Sequence, residues 1–423
     1  MIAKGPLRLL HTGDWHVGRT IRGRSRAEEH AATMDELVAV ADDQQVQLVV
    51  VAGDLFDTAA PTPDAERLVY ETLLRLAGTD RQVVVIAGNH DHPRRLAAVE
   101  PLLSLGRVHV RPFVVSPQQG GVIDLDLGGV PTRLAMLPWL SQRYAISAAE
   151  LLERDADQHN QSYLDRVRAV TNTLCRGFDG SRVNLVVGHV TAVGGLLGGG
   201  ERAAHTIFDY AVPASIFPPT ANYVALGHLH RCQHLPSPAP TWYAGSPLQL
   251  DFGEGDNTPS CQIVACSPGL PARIETVELR AARRLTTLIG NTVELALQAA
   301  GAGDAHLRLV VREAHRAGLA EELRERFPNA VDVRVEAEPP DPRGATNSNS
   351  SNDTGGGRLG RAPHELFAEF LAGQHIEDPR LHTLFKNLVE ADASEHHGGP
   401  GDTDGPDRPD SPSSPKRRGR RAA

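Results

Sequence analysis

Short apolar runs alternate with amphipathic stretches through the first two thirds of the chain. The runs Leu48–Ala52 and Val83–Ala87 contain only apolar residues, which is typical of strands buried on both faces of a sheet. Between them, Thr62–Asp64 has the composition of a helix N-terminus, and Gly78 is expected to end that helix. Another helix is predicted over Arg26–Asp42. This strand–helix–strand pattern favours an open α/β sheet, in which functional residues lie at the carboxyl ends of the strands.

Later parts of the chain follow two other patterns. The runs Thr241–Ala244 and Gln262–Ala265 have no helix between them, which predicts a second, mixed sheet. Farther on, the run Leu307–Val311, the helix-like stretch Ala317–Arg326 and the run Val331–Val335 predict a compact βαβ unit. The chain therefore combines a large α/β region with a small separate unit.

The C-terminal part contains a polar linker and an apolar island. Asn347–Asn352 and Gly355–Gly357 cannot bury apolar surface, so we expect this stretch to be flexible. The island after it has helical spacing and predicts two short amphipathic helices. The end of the chain, Lys416–Arg421, is basic and could contact nucleic acid, although a solvated, disordered tail is the preferred interpretation. The apolar residues of the island are Leu366, Phe367, Phe370, Leu371, Leu381, Leu384, Phe385 and Leu388.

Changes in composition and periodicity divide the chain into five segments. They are a first domain over residues 1–284, a small domain over 285–338, a flexible linker over 339–362, a helical segment over 363–391 and a disordered tail over 392–423.

Composition excludes several classes of protein. With 423 residues the chain is too long for one ordinary domain, and no apolar stretch approaches the ~20 residues of a membrane span. The N-terminus does not resemble a signal peptide, so we expect a cytoplasmic protein. Four cysteines without metal-binding spacing predict reduced thiols. The net charge of −9 argues against binding nucleic acid by bulk electrostatics alone, although nearly all of the 43 basic residues are arginine, which suits phosphate.

Five apolar runs each end in residues that commonly bind metals. One such strand end is weak evidence, but five in order along one chain predict a shared site. The five strand ends are Asp14-Trp15-His16, Gly53-Asp54-Leu55-Phe56-Asp57, Gly88-Asn89-His90-Asp91, Gly188-His189 and Gly227-His228-Leu229-His230.

The spacing of these residues indicates two divalent cations. Asp14 and His16 are two residues apart, so on an extended segment their side chains point the same way and can share one cation. The same argument applies to His228 and His230. Asp54 is the natural bridging ligand, because a carboxylate has two oxygens and two cations need their charge neutralised.

The types of ligand narrow the chemistry. Asn89 offers a carbonyl oxygen, and His189 and His228 offer imidazole nitrogens. Oxygen and imidazole donors without thiolate suit manganese, iron or zinc better than calcium. Two such cations ~3.5–4 Å apart can hold a phosphodiester, generate a nucleophile and stabilise the leaving oxygen.

Residues beside the ligands are candidates for supporting roles. His90 follows Asn89 and is well placed to protonate the leaving group or to stabilise the pentavalent phosphorus. Asp57 and Asp91 could orient neighbouring histidines as hydrogen-bond acceptors, or could cap loops. The other histidines considered are interpreted as structural or solvent-exposed, and they are His11, His30, His92, His109, His205 and His234.

The ordered motifs DxH, GDxxD, GNHD, GH and GHxH resemble the signature of the calcineurin-like metallophosphoesterases. Finer features resemble the SbcD nucleases of bacteria. These are the stretch Thr12–Arg19, the stretch Tyr223–His230 and the segment from Tyr243–Pro247 to Asp251–Glu254. The predicted βαβ unit resembles the capping domain of that family. The resemblance covers residues 7–338, with weaker support to residue 391.

The resemblance implies an α/β fold, an α+β four-layer sandwich in which two mixed β-sheets are flanked by helices. A small βαβ capping domain and a C-terminal helical pair would follow this core. It also implies two metal sites that share Asp54, with His90 as the catalytic histidine. One metal would take Asp14, His16, Asp54 and His230, and the other Asp54, Asn89, His189 and His228.

Members of this family are manganese-dependent exonucleases and endonucleases of DNA repair and recombination, so DNA is the implied substrate and the nucleoid the implied place of action. They dimerise through the nuclease domain and pair with an SMC-like ATPase of the SbcC type, giving a heterotetramer. In this group a helical pair after the capping domain binds the ATPase. Its counterparts here would be Leu366, Phe367, Phe370, Leu381, Leu384, Phe385 and Leu388.

Two other functions remain open from the residues. A phosphodiesterase or phosphatase for small molecules or phosphoproteins would share the metal core, but it would not need the capping unit or the tethered helices. A scaffold that mainly organises an ATPase on DNA would not need an intact ligand set. The glycine-rich loop Gly194–Gly200 is assigned no role.

Overall fold

The computed structural model describes residues 5–140, 163–201, 211–314 and 316–336, together with Phe367, Leu371 and Arg380. The described strands are β1 Leu7–Thr12, β2 Thr20–Ile21, β3 Arg24–Ser25, β4 Leu48–Val51, β5 Gln82–Ile86, β6 Val108–Arg111, β7 Val122–Leu127, β8 Val130–Leu137, β9 Val183–His189, β10 Thr191–Ala192, β11 Ala211–Val212, β12 Tyr223–Gly227, β13 Gln233–Leu235, β14 Thr241–Tyr243, β15 Ser260–Cys266, β16 Arg273–Glu278, β17 Leu285–Gly290, β18 His306–Arg312 and β19 Ala330–Glu336. The described α-helices are α1 Ala27–Asp43, α2 Pro63–Ala77, α3 Pro93–Leu105, α4 Tyr163–Cys175, α5 Thr292–Ala300 and α6 Leu319–Arg326.

Two six-stranded mixed sheets form the centre of the fold. The first has the order β16-β15-β1-β4-β5-β6, and its strands β1, β4, β5 and β6 are parallel. The second has the order β13-β14-β12-β9-β8-β7, with four parallel inner strands and an antiparallel strand at each edge. Parallel inner strands direct their carboxyl ends to one edge of each sheet.

The sheets pack face to face, and helices cover their outer faces. In β4, Leu48 and Val50 belong to the apolar core between the sheets, whereas Val49 and Val51 belong to the core under α1, α2 and α3. Helix α4 packs with the outer face of the second sheet. The continuous apolar runs therefore follow from burial on both faces, and the predicted four-layer arrangement is confirmed.

The predicted helices form with the expected ends. Helix α2 begins after Thr62, whose Oγ1 accepts a hydrogen bond from the Ala65 amide at 3.3 Å, and it ends at Gly78. Helix α1 spans Ala27–Asp43, one residue later at each end than predicted. Thr241–Tyr243 lies in the second sheet as expected.

The prediction for Gln262–Ala265 was wrong about the sheet. These residues lie in β15, which pairs antiparallel with β1 in the first sheet. Cys261 and Ile263 of this strand pack in the core beneath α1. The pairing joins residues about 250 positions apart, and such long-range pairing is not visible in local periodicity.

A third sheet, β17-β18-β19, is wholly parallel, with α5 and α6 connecting its strands. It contains the predicted βαβ unit, preceded by one further strand and helix. Its contacts with the core include polar ones: Glu29 Oε1 lies 2.7 Å from His306 Nε2, and Gln249 Oε1 accepts a hydrogen bond from the Leu285 amide at 2.7 Å.

Some of the predictions concern residues outside those described. The linker over 339–362 and the tail over 392–423 lie there. Phe367 and Leu371 are described as helical, and Leu371 is buried. The other predicted partner-binding residues, namely Leu366, Phe370, Leu381, Leu384, Phe385 and Leu388, fall outside the described residues.

All four cysteines, Cys175, Cys232, Cys261 and Cys266, are free thiols, as predicted. Burial raises the pKa of Cys175, Cys261 and Cys266 to about 12, which keeps these thiols protonated and unreactive. Within the described part of the chain, every helix is too short or too polar to cross a membrane.

Candidate metal centre

The predicted site residues converge where strand ends of the two central sheets meet. Asp14, Asp54 and Asn89 follow β1, β4 and β5 of the first sheet. His189 ends β9 of the second sheet, and His228 follows β12. All five residues are buried.

Hydrogen bonds tie the strand ends to one another. The Asp14 amide donates to the Gly53 carbonyl at 2.9 Å, and the His16 amide donates to the Asp54 carbonyl at 3.0 Å. Between the sheets, the His228 amide donates to Asp14 Oδ1 at 2.9 Å. The geometry of the ligand set is therefore held by backbone groups of both sheets.

One group of candidate ligands contains Asp14, His16 and His230. Each offers an atom that lies within 4.8 Å of the others. His16 Nε2 is buried, has no hydrogen-bond partner among the described residues and lies 3.5 Å from Asp54 Oδ2. A buried imidazole nitrogen that faces a carboxylate without a hydrogen bond suits a shared cation.

A second group contains Asp54, His189 and His228, again with ligand atoms within 4.8 Å of one another. Asn89 Oδ1 lies 3.0 Å from His189 Nε2 and 2.8 Å from His228 Nδ1. His189 Nδ1 lies 2.7 Å from the Ala52 carbonyl oxygen, so Nδ1 carries the proton and Nε2 faces this group.

Asp54 lies between the two groups. Its Oδ2 is 3.5 Å from His16 Nε2 and 3.4 Å from His189 Nε2. Its Oδ1 accepts a hydrogen bond from the His90 amide at 2.8 Å. A single carboxylate can thus contact both groups, and the two clusters fit a dinuclear metal site.

The electrostatics of the site favour added positive charge. Burial and the neighbouring charge of Asp54 raise the pKa of Asp14 to about 6. Burial lowers the pKa of His189, but the carboxylate of Asp54 more than offsets this and raises it to about 9. The pKa of His230 is raised to about 9 in the same way, by Glu254. The carboxylates of the site therefore favour protonation of its side chains, and bound divalent cations would displace those protons.

The backbone is strained at four candidate ligands. Asp14, His16, Asp54 and His228 have φ values of 51°, 47°, 53° and 105°. A left-handed conformation in a residue other than glycine costs about 1–3 kcal/mol, and such residues cluster at functional sites. The surrounding fold therefore imposes this ligand arrangement on the chain.

Asp57 contacts two histidines. Its Oδ1 lies 3.5 Å from His16 Nδ1 and 3.1 Å from the Arg19 guanidinium, and its backbone carbonyl lies 2.7 Å from His90 Nδ1. Burial would raise the pKa of Asp57, but His16 and Arg19 lower it to about 2.

The carboxylate of Asp91 bonds to backbone amides. Its carboxylate accepts hydrogen bonds from the Phe56 amide at 3.1 Å and the Gly88 amide at 2.8 Å, and thus joins the second and third strand ends. Burial and the charge of Asp54 raise the pKa of Asp91 to about 7. Of its two predicted roles, loop capping is the one that these contacts support.

Three residues of the site were not identified from the sequence. Glu254 Oε1 lies 2.7 Å from His230 Nδ1, Glu201 Oε1 accepts a hydrogen bond from the His230 amide at 3.0 Å, and Trp139 stacks on His228 with ring centroids 4.9 Å apart. Only Glu254 lies in a segment that the sequence analysis singled out, Asp251–Glu254, and no spacing in the sequence linked it to a metal ligand. These contacts arise from the tertiary fold.

The glycine-rich loop and the remaining histidines have structural contacts. Glu201 Oε2 accepts a hydrogen bond from the Gly199 amide at 2.8 Å, which holds the loop beside His230. His11 is fully buried 2.9 Å from the Tyr223 hydroxyl, and burial lowers its pKa to about 3. His30 is buried against the Arg26 carbonyl. His205 lies outside the described residues.

Comparisons with known proteins agree with this geometry. A family model of the calcineurin-like phosphoesterases matches residues 7–232. The SbcD component of the nuclease SbcCD from Bacillus subtilis is 35% identical over 288 residues, which are 66% of this chain and 71% of that protein. The corresponding SbcD component from Escherichia coli K12 is 31% identical over 303 residues, 69% of this chain and 73% of that protein.

Among solved structures, a dimetal phosphatase from Danio rerio aligns with 64% of this chain and 99% of its own, at 12% identity. Its TM-score of 0.38 is too low to add to the sequence matches.

Gly53 allows the close approach of the second and fourth strand ends. Its φ is +93°, and a Cβ at this position would lie 2.5 Å from His189 Nδ1. We expect Gly53→Ala to displace His189 and abolish metal binding, beyond the ~1–2 kcal/mol cost of a left-handed alanine. Metal content by mass spectrometry and thermal unfolding would measure the two effects.

Gly128→Ala is the matched control. Gly128 also has a positive φ, +63°, but a Cβ there would meet nothing within 4 Å. This variant should lose a little stability and retain its metals. Equal metal content in the two variants would show that the close contact at Gly53 is unimportant.

Proposed function

Because the chain belongs to the calcineurin-like phosphoesterase family and, within it, to the SbcD nucleases, we propose that it is the nuclease component of an SbcCD-type complex. It would hydrolyse phosphodiester bonds of DNA at ends and hairpins, as exonuclease and endonuclease, in repair and recombination. The observation that carries this proposal is that Asp54 lies between two ligand clusters, close to His16 of one and His189 of the other.

The two metals would divide the ligands along the lines of these clusters. We infer that one takes Asp14, His16, Asp54 and His230, and the other Asp54, Asn89, His189 and His228. The distances around Asp54 Oδ2, 3.5 Å to His16 Nε2 and 3.4 Å to His189 Nε2, support a bridging role. Manganese is the proposed metal, since oxygen and imidazole donors without thiolate suit it.

When bound, the two cations supply Lewis acidity that neutralises charge on the phosphate and activates water. The protein groups orient the ligands. Asp57 holds Nδ1 of His16 with the help of Arg19, and the Ala52 carbonyl holds Nδ1 of His189. Each of these contacts fixes which ring nitrogen faces the centre of the site.

His90 is the proposed catalytic residue. Its Nδ1 donates to the Asp57 carbonyl at 2.7 Å, so Nε2 is the nitrogen that gains and loses a proton. As water oxygen bonds to phosphorus and the bond to the leaving oxygen breaks, protonated His90 gives its Nε2 proton to that oxygen. The attacking water releases one proton to the solvent, and His90 regains a proton from the solvent before the next turnover, so that one water is consumed and the protons balance.

We predict that His90→Ala lowers cleavage of linear or hairpin DNA by about 10²–10⁴-fold in the presence of Mn²⁺, because the leaving oxygen loses its proton donor. Binding of Mn²⁺, followed by calorimetry, should be unchanged, since His90 is not a proposed ligand. His92→Ala is the control, because the His92 ring caps α3 and is not a proposed ligand either. Cleavage by His90→Ala at the wild-type rate would contradict the role of His90.

The same assay distinguishes the alternative substrates. Rapid hydrolysis of cyclic nucleotides or phosphoproteins, with no cleavage of DNA, would favour a small-molecule or protein phosphatase. Binding of an SMC-like ATPase without any hydrolysis would favour a scaffold.

A homodimer is also part of the proposal. Leu102 and Leu105 of α3 are 70% and 85% exposed, and Leu74 of α2 is 44% exposed. Leu74 lies beside Gly106, the residue after Leu105, and Leu102 is one turn before Leu105 in α3, so the three exposed leucines lie in one region of the surface. Contiguous exposed leucines on a folded surface support a protein interface.

We expect Leu102→Glu combined with Leu105→Glu to convert a dimer into a monomer, because charges at the centre of an apolar interface are not compensated. Light scattering after size exclusion would measure the mass. Leu270→Glu is the control, since Leu270 is 60% exposed on another part of the surface. A wild-type chain that is monomeric at micromolar concentration would contradict this interface.

The proposed ATPase partner would bind the apolar island over residues 363–391. Deleting this segment should abolish co-purification with an SbcC-type ATPase and leave basal nuclease activity intact, because the candidate metal centre lies within residues 14–254. Deletion of residues 392–423 serves as the control. Unchanged co-purification after deletion of 363–391 would refute this assignment.

A further inference from the structure

Glu254 is a buried carboxylate that contacts one candidate ligand. It is 1% exposed, its Oε1 lies 2.7 Å from His230 Nδ1, and its Oε2 accepts a hydrogen bond from the Leu250 amide at 2.8 Å. A carboxylate that accepts from the Leu250 amide on one oxygen can accept from a ring N–H on the other. The contact therefore makes Nδ1 the protonated nitrogen of His230 and directs Nε2 toward Asp14 and His16.

The third sheet holds the turn that carries Glu254. The side chain of Gln249 joins the two: its Nε2 donates to the Glu254 carbonyl at 2.9 Å, and its Oε1 accepts from the Leu285 amide, at the start of β17, at 2.7 Å. The Arg308 guanidinium of β18 lies 4.3 Å from the ring centroid of Phe252. A chain of direct contacts thus runs from the third sheet through this turn to His230.

The other cluster is supported differently. His189 Nδ1 is bonded to the Ala52 carbonyl of the first sheet, and His228 stacks on Trp139. Both supports belong to the two central sheets and the segments that directly follow their strands. A shift of the third sheet would therefore reach one cluster directly and the other only through Asp54.

We propose that Glu254 is a positioning residue for His230, held in place by the third sheet, so that the third sheet controls one of the two metal sites selectively. The inference rests on the proposed two-metal function and adds a regulated ligand to it. The nuclease would lose or retain one metal according to how the third sheet lies on the core.

Glu254→Gln tests this directly in the full-length chain. A glutamine has one acceptor oxygen, and its NH₂ group can only donate. It therefore cannot accept hydrogen bonds from both the His230 ring and the Leu250 amide in the way that the two carboxylate oxygens do, and one contact is lost. We expect the affinity of one Mn²⁺ site to fall about 10–100-fold while the other keeps its wild-type value. Calorimetric titration with Mn²⁺ alone resolves the two sites, so activity is not needed as a readout.

Asp251→Asn is the matched control. Asp251 caps the same turn, where its Oδ1 accepts a hydrogen bond from the Gly253 amide at 2.9 Å, so its carboxylate bonds within the turn rather than to His230. This variant should bind two Mn²⁺ ions with wild-type affinities. If it weakens the same site as strongly as Glu254→Gln does, general loosening of the turn explains the effect and the proposal is wrong.

A second variant alters the contact between the third sheet and the turn that carries Glu254. Arg308→Gln removes the contact with Phe252 and leaves Glu254 intact, so it decides the question even if Glu254→Gln does not fold. It should weaken the same single site by a smaller factor. Equal weakening of both sites, or of neither, would overturn the proposal. A wild-type chain that binds fewer than two Mn²⁺ ions would instead contradict the proposed function.

Discussion

The fold must hold several buried carboxylates close together at the junction of two sheets. Asp14 lies in one ligand cluster and Asp54 in the neighbouring one, and Glu254 contacts His230 of the first cluster; all three carboxylates are nearly inaccessible to solvent. Burying like charges is costly unless positive charge is nearby. The strained backbone at Asp14 and Asp54 adds to that cost. The long apolar strands on either side supply the packing that offsets it, and they are the reason the arrangement can persist.

The sequence was most informative where chemistry and chain position coincide. The ligand types follow short apolar strands directly, so both the strands and the clusters at their ends could be predicted. Asp57 could also be identified as a candidate from the sequence, because it lies three residues after Asp54 on the same strand end. Glu201 and Glu254 were not, since their contacts with His230 arise only after residues 24 to 29 positions apart are folded together. Strand β15 was assigned to the wrong sheet for the same reason.

The third sheet contacts the turn that carries Glu254. Its connection to the core combines a small apolar cluster of Ile21, Phe252 and Leu285 with polar contacts, including Glu29 with His306 and Gln249 with the Leu285 amide. Glu29 would have a raised pKa from burial, but His306 and Arg26 lower it to about 2, so this junction is charged at neutral pH. A polar junction forms only when its partners are aligned, so it constrains the orientation of two units while adding little net stability. Orientation is the property that matters if His230 depends on the third sheet.

The two central sheets each contribute ligands to both candidate clusters, and this has a consequence for the lifetime of the protein. A cation bound by both sheets binds the closed sandwich and has no equivalent site in the unfolded chain. By mass action, each tenfold excess of free metal over its dissociation constant adds about 1.4 kcal/mol to the free energy of unfolding. Metal supply in the cell would thus set how long the folded molecule survives, as well as whether it can act.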